Sequence, residues 1–573
     1  MLILHRPHFD RVSFRFVRGE YRSVFCYPSL TDTNMTEESM PYVDDLLDMT
    51  EDSLDGTSKL SEIASFFAGA NVLVTGGSGF VGKLLVEKLL RCCPDIARLF
   101  FIMRPKKGNS PEERLTKQFD NVLYDRLRKE QPNFYRKIVM IEGDVGNENL
   151  GLSKECRNIL LSTNVIFHAA ATVRFDDTVR FATYVNIRGT KELLELAKEM
   201  PNMKAFVYIS TAFSHCIHKF IEEKYYKPPI EPRKLLQLTE ILDDKKWDHF
   251  HGRILGKYPN TYAFTKATTE ALVREYSEAI PLCIVRPSIM IPTAKDPITG
   301  WIDNLYGATG VCVGAALGVL RTLHCDSSKI ADVIPADYVI SAIVAYLLLS
   351  ISLNRKIQST IANSNLDSDI SDINKGPIYN LISSCQKPIT WGEYMNYNEL
   401  YGKRLPSTKV VWYYTFKTHR NYMVDLVCRM LLHLFPAAIV DSVAYLAGHK
   451  PTLWKTYKKI HKFCGVISYF ATKEWRFNND ATLTLLNKLN ATDRKTFNFD
   501  LKLIDWNEYF RYHIVALQMY LIEEPDNYRE EGFKKQRRLK VAHYSFVTIG
   551  YLLMFWVIMK FLLYLWSLFT LVN

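Results

Sequence analysis

The chain has 573 residues, 48% of them hydrophobic and 23% charged, with 72 basic against 61 acidic residues and a net charge of +11. Such a length asks for more than one domain, and such a composition excludes a collagenous, disordered or disulfide-stapled chain. The positive charge is spread out apart from one cluster near the C-terminus; it suits a phosphorylated small molecule or an anionic membrane surface and gives no ground for nucleic acid.

Residues 1–60 read as an N-terminal extension. Arg6, Arg11, Arg15, Arg18 and Arg22 stand among few acids, followed by an acidic stretch from Glu37 to Asp55. A mitochondrial presequence has such a start, but the preferred expectation is a disordered extension upstream of Met35 or Met40. The 11 cysteines form no C-x-x-C pair, so neither a zinc site nor a disulfide framework is expected, and no metal. Free thiols fit a reducing compartment, which puts the globular part in the cytosol.

From residue 61 the pattern changes. Short apolar runs at Asn71–Thr75, Leu99–Met103, Ile138–Ile141, Val165–Phe167, Ala205–Ile209 and Leu282–Val285 alternate with helix-like segments such as 190–199 and 266–279. Buried strands alternating with amphipathic helices predict an α/β fold, a Rossmann-type doubly wound parallel sheet, over residues 61–358. The polar stretch 359–376 reads as a linker, 377–515 as a mainly helical domain, and 541–572 as a transmembrane tail.

The first run ends in Thr75-Gly-Gly-Ser-Gly-Phe-Val-Gly82. Gly77, Gly79 and Gly82 satisfy G-x-G-x-x-G, and Gly76, Gly79 and Gly82 recur at three-residue steps. Between a strand and a leucine-rich helix this pattern binds a dinucleotide: glycine lets the pyrophosphate approach the backbone, and the following helix turns its first amides toward that anion. Gly76, Gly77, Ser78, Gly79, Phe80, Val81 and Gly82 are therefore candidate cofactor contacts. After the second strand an NAD site carries an acid for the ribose 2′-hydroxyl. Here the sequence is Met103-Arg-Pro-Lys-Lys107. Arg104, helped by Lys106 or Lys107, is suited to a 2′-phosphate, which selects NADPH. Asp144 and Val145, after the third run, are placed to meet the adenine, and the small residues around Ala169 to let the nicotinamide half lie against the backbone.

Tyr262-Ala-Phe-Thr-Lys266 sets a phenol and an ammonium one helical turn apart on one face. A phenol titrates near pH ~10 and a neighbouring cation lowers that value, so Tyr262 is the expected proton donor to a carbonyl that receives hydride. Ser210 or Thr211, at the end of the strand Ala205–Ile209, is the expected hydrogen-bond donor to the same carbonyl oxygen; the choice between them stays open. Lys266 is also expected to hold the nicotinamide ribose.

The order of glycine turn, acid, Ala-rich turn, Ser/Thr strand and Tyr-x-x-x-Lys resembles the extended short-chain dehydrogenase/reductases. Val74–Gly82, Arg104–Gly108, Val185-Asn-Ile-Arg-Gly-Thr190, Tyr262–Lys266, Val285-Arg-Pro-Ser-Ile289 and Gly300-Trp-Ile-Asp-Asn304 resemble one branch, the alcohol-forming fatty acyl-CoA reductases, over residues 61–512 and the apolar tail. The resemblance implies two hydride steps from NADPH: a long-chain acyl-CoA thioester goes to a bound aldehyde with loss of CoA, and the aldehyde to a primary alcohol. It implies Tyr262 as proton donor, Lys266 as its partner, Thr211 or Ser210 as carbonyl polariser and Asn186 as a supporting residue. The Gly- and Ala-rich stretch 307–318 is either an acyl-chain wall or a tightly packed helix. Competing expectations are a sterol or nucleotide-sugar enzyme on the same fold, and a membrane-anchored lipid-binding homologue without turnover.

Ser545–Phe569 is long enough to cross a bilayer, although Lys560 interrupts it. The basic run Lys534-Lys-Gln-Arg-Arg-Leu-Lys540 before it predicts a single-pass C-terminal anchor with the catalytic body in the cytosol, on the endoplasmic reticulum or the peroxisome. The apolar segment 423–448 holds Asp425, Arg429, His433, Pro436 and Asp441, too many polar groups for a simple span; it reads as core or as a surface dipping toward lipid.

Overall fold

The computed structural model describes residues 60–105, 108–347, 376–525 and 528–572. The N-terminal extension, Lys106 and Lys107, and the linker stretch up to residue 375 lie outside the described residues.

Seven strands form one parallel sheet: β1 (Asn71–Thr75), β2 (Arg98–Met103), β3 (Ile138–Glu142), β4 (Val165–His168), β5 (Ala205–Ile209), β6 (Leu282–Pro287) and β7 (Ile378–Leu381). Their spatial order is β7-β6-β5-β4-β1-β2-β3. All the predicted runs are strands of this sheet. Each is apolar on both sides because helices cover both faces, the state that continuous rather than alternating hydrophobic runs specify. Leu73, Phe100, Ile166, Phe206 and Ile284 meet in one core cluster. The strand order reverses between β1 and β4, which opens the crevice where ligands of such sheets bind.

The helices that matter for the site follow in chain order. α1 (Phe80–Cys92) leaves the glycine turn, and α2 (Pro111–Phe119) starts with a capping box between Ser110 and Glu113. α3 (Gly189–Lys198) continues a π-helical turn, Thr183–Arg188, and α4 (Thr261–Arg274) is capped by the Asn260 side chain. α5 (Gly307–Ala316) contains the Gly- and Ala-rich stretch. A Cβ on Gly310 would stand 2.1 Å from the Leu305 carbonyl, and one on Gly318 2.2 Å from the Trp412 carbonyl, so these glycines serve close packing of the chain on itself. Cys312, Val313, Ala315 and Ala316 line a cavity of about 790 Å³, its open mouth included.

The boundary expected at residue 377 is corrected by β7: the segment read as the start of a helical domain supplies the seventh strand, paired with β6 from Ile378↔Ile284 to Leu381↔Pro287. Helices follow it: α6 (Trp391–Gly402), α7 (Tyr422–Arg429), α8 (Phe435–Leu446), α9 (Leu453–Ala471), α10 (Trp506–Leu517) and the 45-residue α11 (Tyr528–Val572). They interlock with the sheet region. Arg476–Phe477 pairs with Phe220–Ile221, the Trp475 indole donates to the Cys216 carbonyl at 2.9 Å, and Ser61 donates to Asp493 at 2.5 Å.

Candidate active site

The crevice begins at the glycine turn. Gly76 has φ 70°, and a Cβ there would lie 2.7 Å from the Ala170 amide; on Gly82 it would lie 2.2 Å from the Gly76 carbonyl. Both positions are closed to any side chain. The Gly79 amide donates to the Gly76 carbonyl at 2.8 Å and begins α1 without a side-chain cap. The first amides of α1, at Phe80, Val81 and Gly82, are thus the open donors of a helix N-terminus. A Cβ on Gly79 would meet nothing closer than 3.3 Å. The turn therefore fits a cofactor pyrophosphate: it is tight against its own backbone and open on the side of the helix amides. Trp301 stacks on Phe80 at 5.7 Å and Lys83 pairs with Asp303 at 2.6 Å, so the 300–304 motif braces the first turn of α1.

The structure brings the adenine-side candidates into contact with one another. Arg104 donates to Asp144 at 2.7 Å, and Asp144 also accepts from the Gly146 amide at 3.0 Å. Arg104 is half exposed, so its outer face is open to a phosphate. Val145 packs its carbonyl against Gly189, where a Cβ would come within 2.2 Å. Arg114, on α2, was not anticipated. Its guanidinium donates to Ser78 Oγ at 3.1 Å and to the Arg104 carbonyl, which ties the glycine turn to the basic turn. A cation one helix beyond the motif leaves no sequence signal of its own.

The Ala-rich turn follows β4. The Ala169 amide donates to the Thr75 carbonyl at 3.3 Å, at the mouth of the crevice. His168, just before it, is buried between Thr75 Oγ1 at 2.7 Å and Thr190 Oγ1 at 2.8 Å. Burial, with Lys266 nearby, pushes it down to about 3, so it is a neutral clamp between strands and α3. Asn186, in the π turn, accepts from the Thr172 amide at 2.8 Å and donates to Thr265 Oγ1 at 2.9 Å. It fixes the loop after β4 to the helix that carries Tyr262.

Tyr262 and Lys266 share one face of α4. The Lys266 ammonium donates to the Ile209 carbonyl at 2.7 Å and lies 4.6 Å from the centre of the Tyr208 ring. Burial pulls it down to about 7, against the opposing pull of Glu270. The expected lowering of Tyr262 by its lysine is corrected: burial raises the Tyr262 phenol above its ordinary value, because the ammonium is turned to the end of β5 instead. Phe175 stands 6.0 Å from Tyr262, and Phe470 of α9 6.3 Å from Phe175. The helical region thus builds an aromatic wall beside the phenol, which sequence patterning did not reveal.

Ser210 and Thr211 part company. Ser210, 2% exposed, donates to Glu270 at 2.5 Å. Glu270 is held by Arg286 at 2.6 Å and His215 at 2.9 Å, all of them buried. Burial alone would raise the Glu270 carboxyl, but Arg286 and His215 outweigh it and hold it well below the carboxylate range. The Thr211 hydroxyl, among the described residues, accepts a 3.3 Å contact from the Phe213 amide and no other protein hydrogen bond, while its carbonyl accepts from the Ser214 amide at 3.1 Å. Glu270 and Arg286 were not singled out as a pair beforehand; the signal available was the four-residue spacing Tyr262, Lys266, Glu270 along one helical face.

Two family models described as male sterility protein match the chain, an NAD-binding model over residues 74–343 and a second, named Sterile, over residues 432–524. Fatty acyl-CoA reductase wat of Drosophila melanogaster is 34% identical over 499 residues, covering 87% of this chain and 92% of that protein. Fatty acyl-CoA reductase 1 of Rattus norvegicus is 34% identical and that of Homo sapiens 33%, each covering 85% of this chain and 91% of the relative. Among solved structures, the reductase domain of a non-ribosomal peptide synthetase from Mycobacterium tuberculosis aligns with a TM-score of 0.49 at 18% identity, over 84% of this chain and 97% of that one. With a seven-stranded Rossmann-type sheet, a nicotinamide-cofactor domain and relatives of this identity over most of its length, the chain is an oxidoreductase that belongs to the fatty acyl-CoA reductase family.

Proposed function

We propose that this protein reduces long-chain fatty acyl-CoA to the primary alcohol, using two NADPH and releasing CoA, with the aldehyde held between the steps. The observation that supports the reading is that Lys266, one turn after Tyr262 on α4, donates to the Ile209 carbonyl at the end of β5, directly before Ser210 and Thr211 in the chain. When bound, NADPH would supply the hydride for each step. Gly76 to Gly82 would take the pyrophosphate, Asp144, Val145 and Ala169 would line the nucleotide, Arg104 with Lys106 would take the 2′-phosphate, and Lys266 with Asn186 would order the ribose side. Thr211 donates a hydrogen bond to the carbonyl oxygen as charge builds on it, and Tyr262 delivers the proton. In the first step the sulfur leaves as CoA thiol; in the second the carbonyl oxygen becomes the hydroxyl. Burial raises the Tyr262 phenol, which keeps it protonated in the free enzyme; it is a weaker acid than an exposed phenol, but an alkoxide developing on the substrate is a stronger base still and takes its proton.

The apolar part of α11 anchors the chain in a bilayer, with Lys534 to Lys540 on the cytosolic side and the catalytic body in the cytosol at the endoplasmic reticulum or peroxisome. Support comes from its length and composition: the stretch Tyr528–Tyr564 has a mean hydropathy of 2.1 at its most apolar and is unburied there. The test is product analysis of the purified chain with palmitoyl-CoA or stearoyl-CoA and NADPH. Alcohol and free CoA in equal amounts, at two NADPH each, are expected. No CoA and no alcohol over a panel of chain lengths overturns the reading; free aldehyde as the end product overturns the second step alone.

A further inference from the structure

α7 and α8 form a continuous 25-residue helix, Tyr422–Leu446, with a mean hydropathy of 1.8, joined through the π turn Met430–Leu434. By length it is a second candidate span. Its side chains are divided by face. Asp425, Arg429, His433 and Ala437 are buried and recur every four residues. Asp425 accepts from Thr322 Oγ1 at 2.7 Å and pairs with Arg429. His433 accepts from the Arg321 amide at 2.9 Å and meets His461 of α9 at 3.0 Å. On a plain α-helix each four-residue step overshoots a full turn by ~40°. The π turn holds more residues per turn and takes that drift back, so the four residues stay on one line. Pro436 follows directly, where the widened turn absorbs its missing amide.

The opposite face carries Met423, Leu431, Phe435 and Val443, each 60–62% exposed, with Val427, Ile439 and Val440 between them. A helix pinned to the soluble body from Asp425 to Ala437 by a polar stripe cannot also thread through a bilayer. The two acids of the segment are spent, Asp425 on its buried partners and Asp441 on capping α9 through the amides of residues 452–454. Exposed Lys450, Lys455, Lys458 and Lys459 follow within the next turns. The buried stripe connects to the base of the tail: Arg321, bonded to His433 through its amide, sets its guanidinium 5.6 Å from the Trp412 ring, and Trp412 donates to His543 of α11 at 3.2 Å.

We propose that Tyr422–Leu446 is a second membrane contact, an in-plane helix that lies with its apolar face in the headgroup boundary of an anionic phospholipid bilayer and never crosses it. The proposal rests on the reading of α11 as an anchor in that bilayer. An exposed apolar face with no unpaired acid among its described residues, followed in the chain by exposed lysines, is the pattern of interfacial helices. The contacts through Arg321 and Trp412 tie the helix, by its buried stripe, to the base of the tail, so one body carries both elements.

The test uses the full chain reconstituted into phosphatidylcholine–phosphatidylserine vesicles, with an environment-sensitive fluorescent amino acid placed at position 431 or 443. Lipids bearing a nitroxide near the headgroup are expected to quench about twofold more than lipids bearing it at the chain end, as insertion to ~5–10 Å requires. The double variant L431E/F435E is expected to bring quenching at 443 down to the solvent level while the chain still resists carbonate extraction. Deeper quenching by the chain-end label overturns the in-plane placement. Absence of quenching from a chain still held by the vesicles overturns the proposal, and cross-links between copies at 431 then identify a protein partner for the face. If carbonate strips the chain, the anchor reading has failed; quenching measured before the wash still decides the in-plane helix, for or against.

Discussion

Ser210 and Thr211 stand side by side at the end of β5, and replacing each by alanine separates structure from chemistry. In Ser210→Ala, Glu270 keeps its contacts with Arg286 and His215 and loses one donor. A hydrogen bond to a buried charge is worth ~1.5–3 kcal/mol. Because Arg286 still neutralises the carboxylate, the lower end applies, about 1.5 kcal/mol, a fall in melting temperature of roughly 3 °C or less for a chain of this size. Activity is expected to stay within about threefold, since 1.4 kcal/mol of barrier is a factor of ~10 and Ser210 touches no reacting atom in the proposed geometry. Thr211→Ala removes only a 3.3 Å contact with the Phe213 amide, so stability is expected to move by under ~0.5 kcal/mol. The loss of a donor to the developing oxyanion lowers kcat by about 10²-fold or more. Thermal unfolding and NADPH oxidation, measured on the same preparations, read both quantities. If Ser210→Ala loses activity at unchanged melting temperature while Thr211→Ala does not, the assignment is refuted and the Glu270 contact is not Ser210's working state.

Lys266 is pulled down to about 7 by burial, so in the free enzyme it sheds its proton as pH rises through that value. kcat/KM is expected to fall above about pH 7 with a slope of one, and Lys266→Met to abolish the break along with most activity; a wild-type profile flat from pH 6 to 9 (about the accessible range) removes Lys266 from that role. The same shift carries a stability sign: folded Lys266 binds fewer protons than unfolded lysine between about pH 7 and ~10.4, so its burial costs stability at pH 7 and below and the cost fades as pH rises. Gly82→Ala forces a Cβ to 2.2 Å from the Gly76 carbonyl, which is expected to weaken NADPH binding at least tenfold by fluorescence titration, with a stability loss of ~1–3 kcal/mol. Arg104→Ala is expected to raise the KM for NADPH about tenfold and leave that for NADH unchanged, the value of one charge-assisted contact; an equal rise for both refutes the 2′-phosphate role.

The sheet was legible because parallel strands are apolar on both faces and stand out as runs between helical segments. The glycine turn and the Tyr262–Lys266 pair were legible because local spacing alone sets their geometry. β7 was not: four residues, Ile378–Leu381, carry too little periodicity to register, and the strand earns its place only by pairing with β6 nearly a hundred positions earlier. The Ser210–Thr211 choice was unreadable for a related reason. Consecutive strand residues point to opposite faces, and which face meets Glu270 depends on α4 and β6 docking from elsewhere in the chain. The rise of the Tyr262 phenol had the same origin, since burial by tertiary packing raises it while the lysine visible in the motif is turned to the Ile209 carbonyl.

β7 also has a cost in time. When the ribosome has delivered β6, ending at Pro287, the sheet has a bare parallel edge until Ile378 arrives, 378 − 287 = 91 residues later. At ~5–20 residues per second that is roughly 5–18 s during which an apolar strand can recruit another nascent chain. Even then β7 is not secured, because the Asn380 amide group donates to the Ile221 carbonyl at 3.2 Å and to the Asn478 carbonyl at 2.8 Å, the second of which is synthesised almost a hundred residues later still. Fragments ending anywhere between residues 288 and 377 would therefore carry an open sheet edge into solution, and dissection of this enzyme at the linker would yield aggregates instead of a working half.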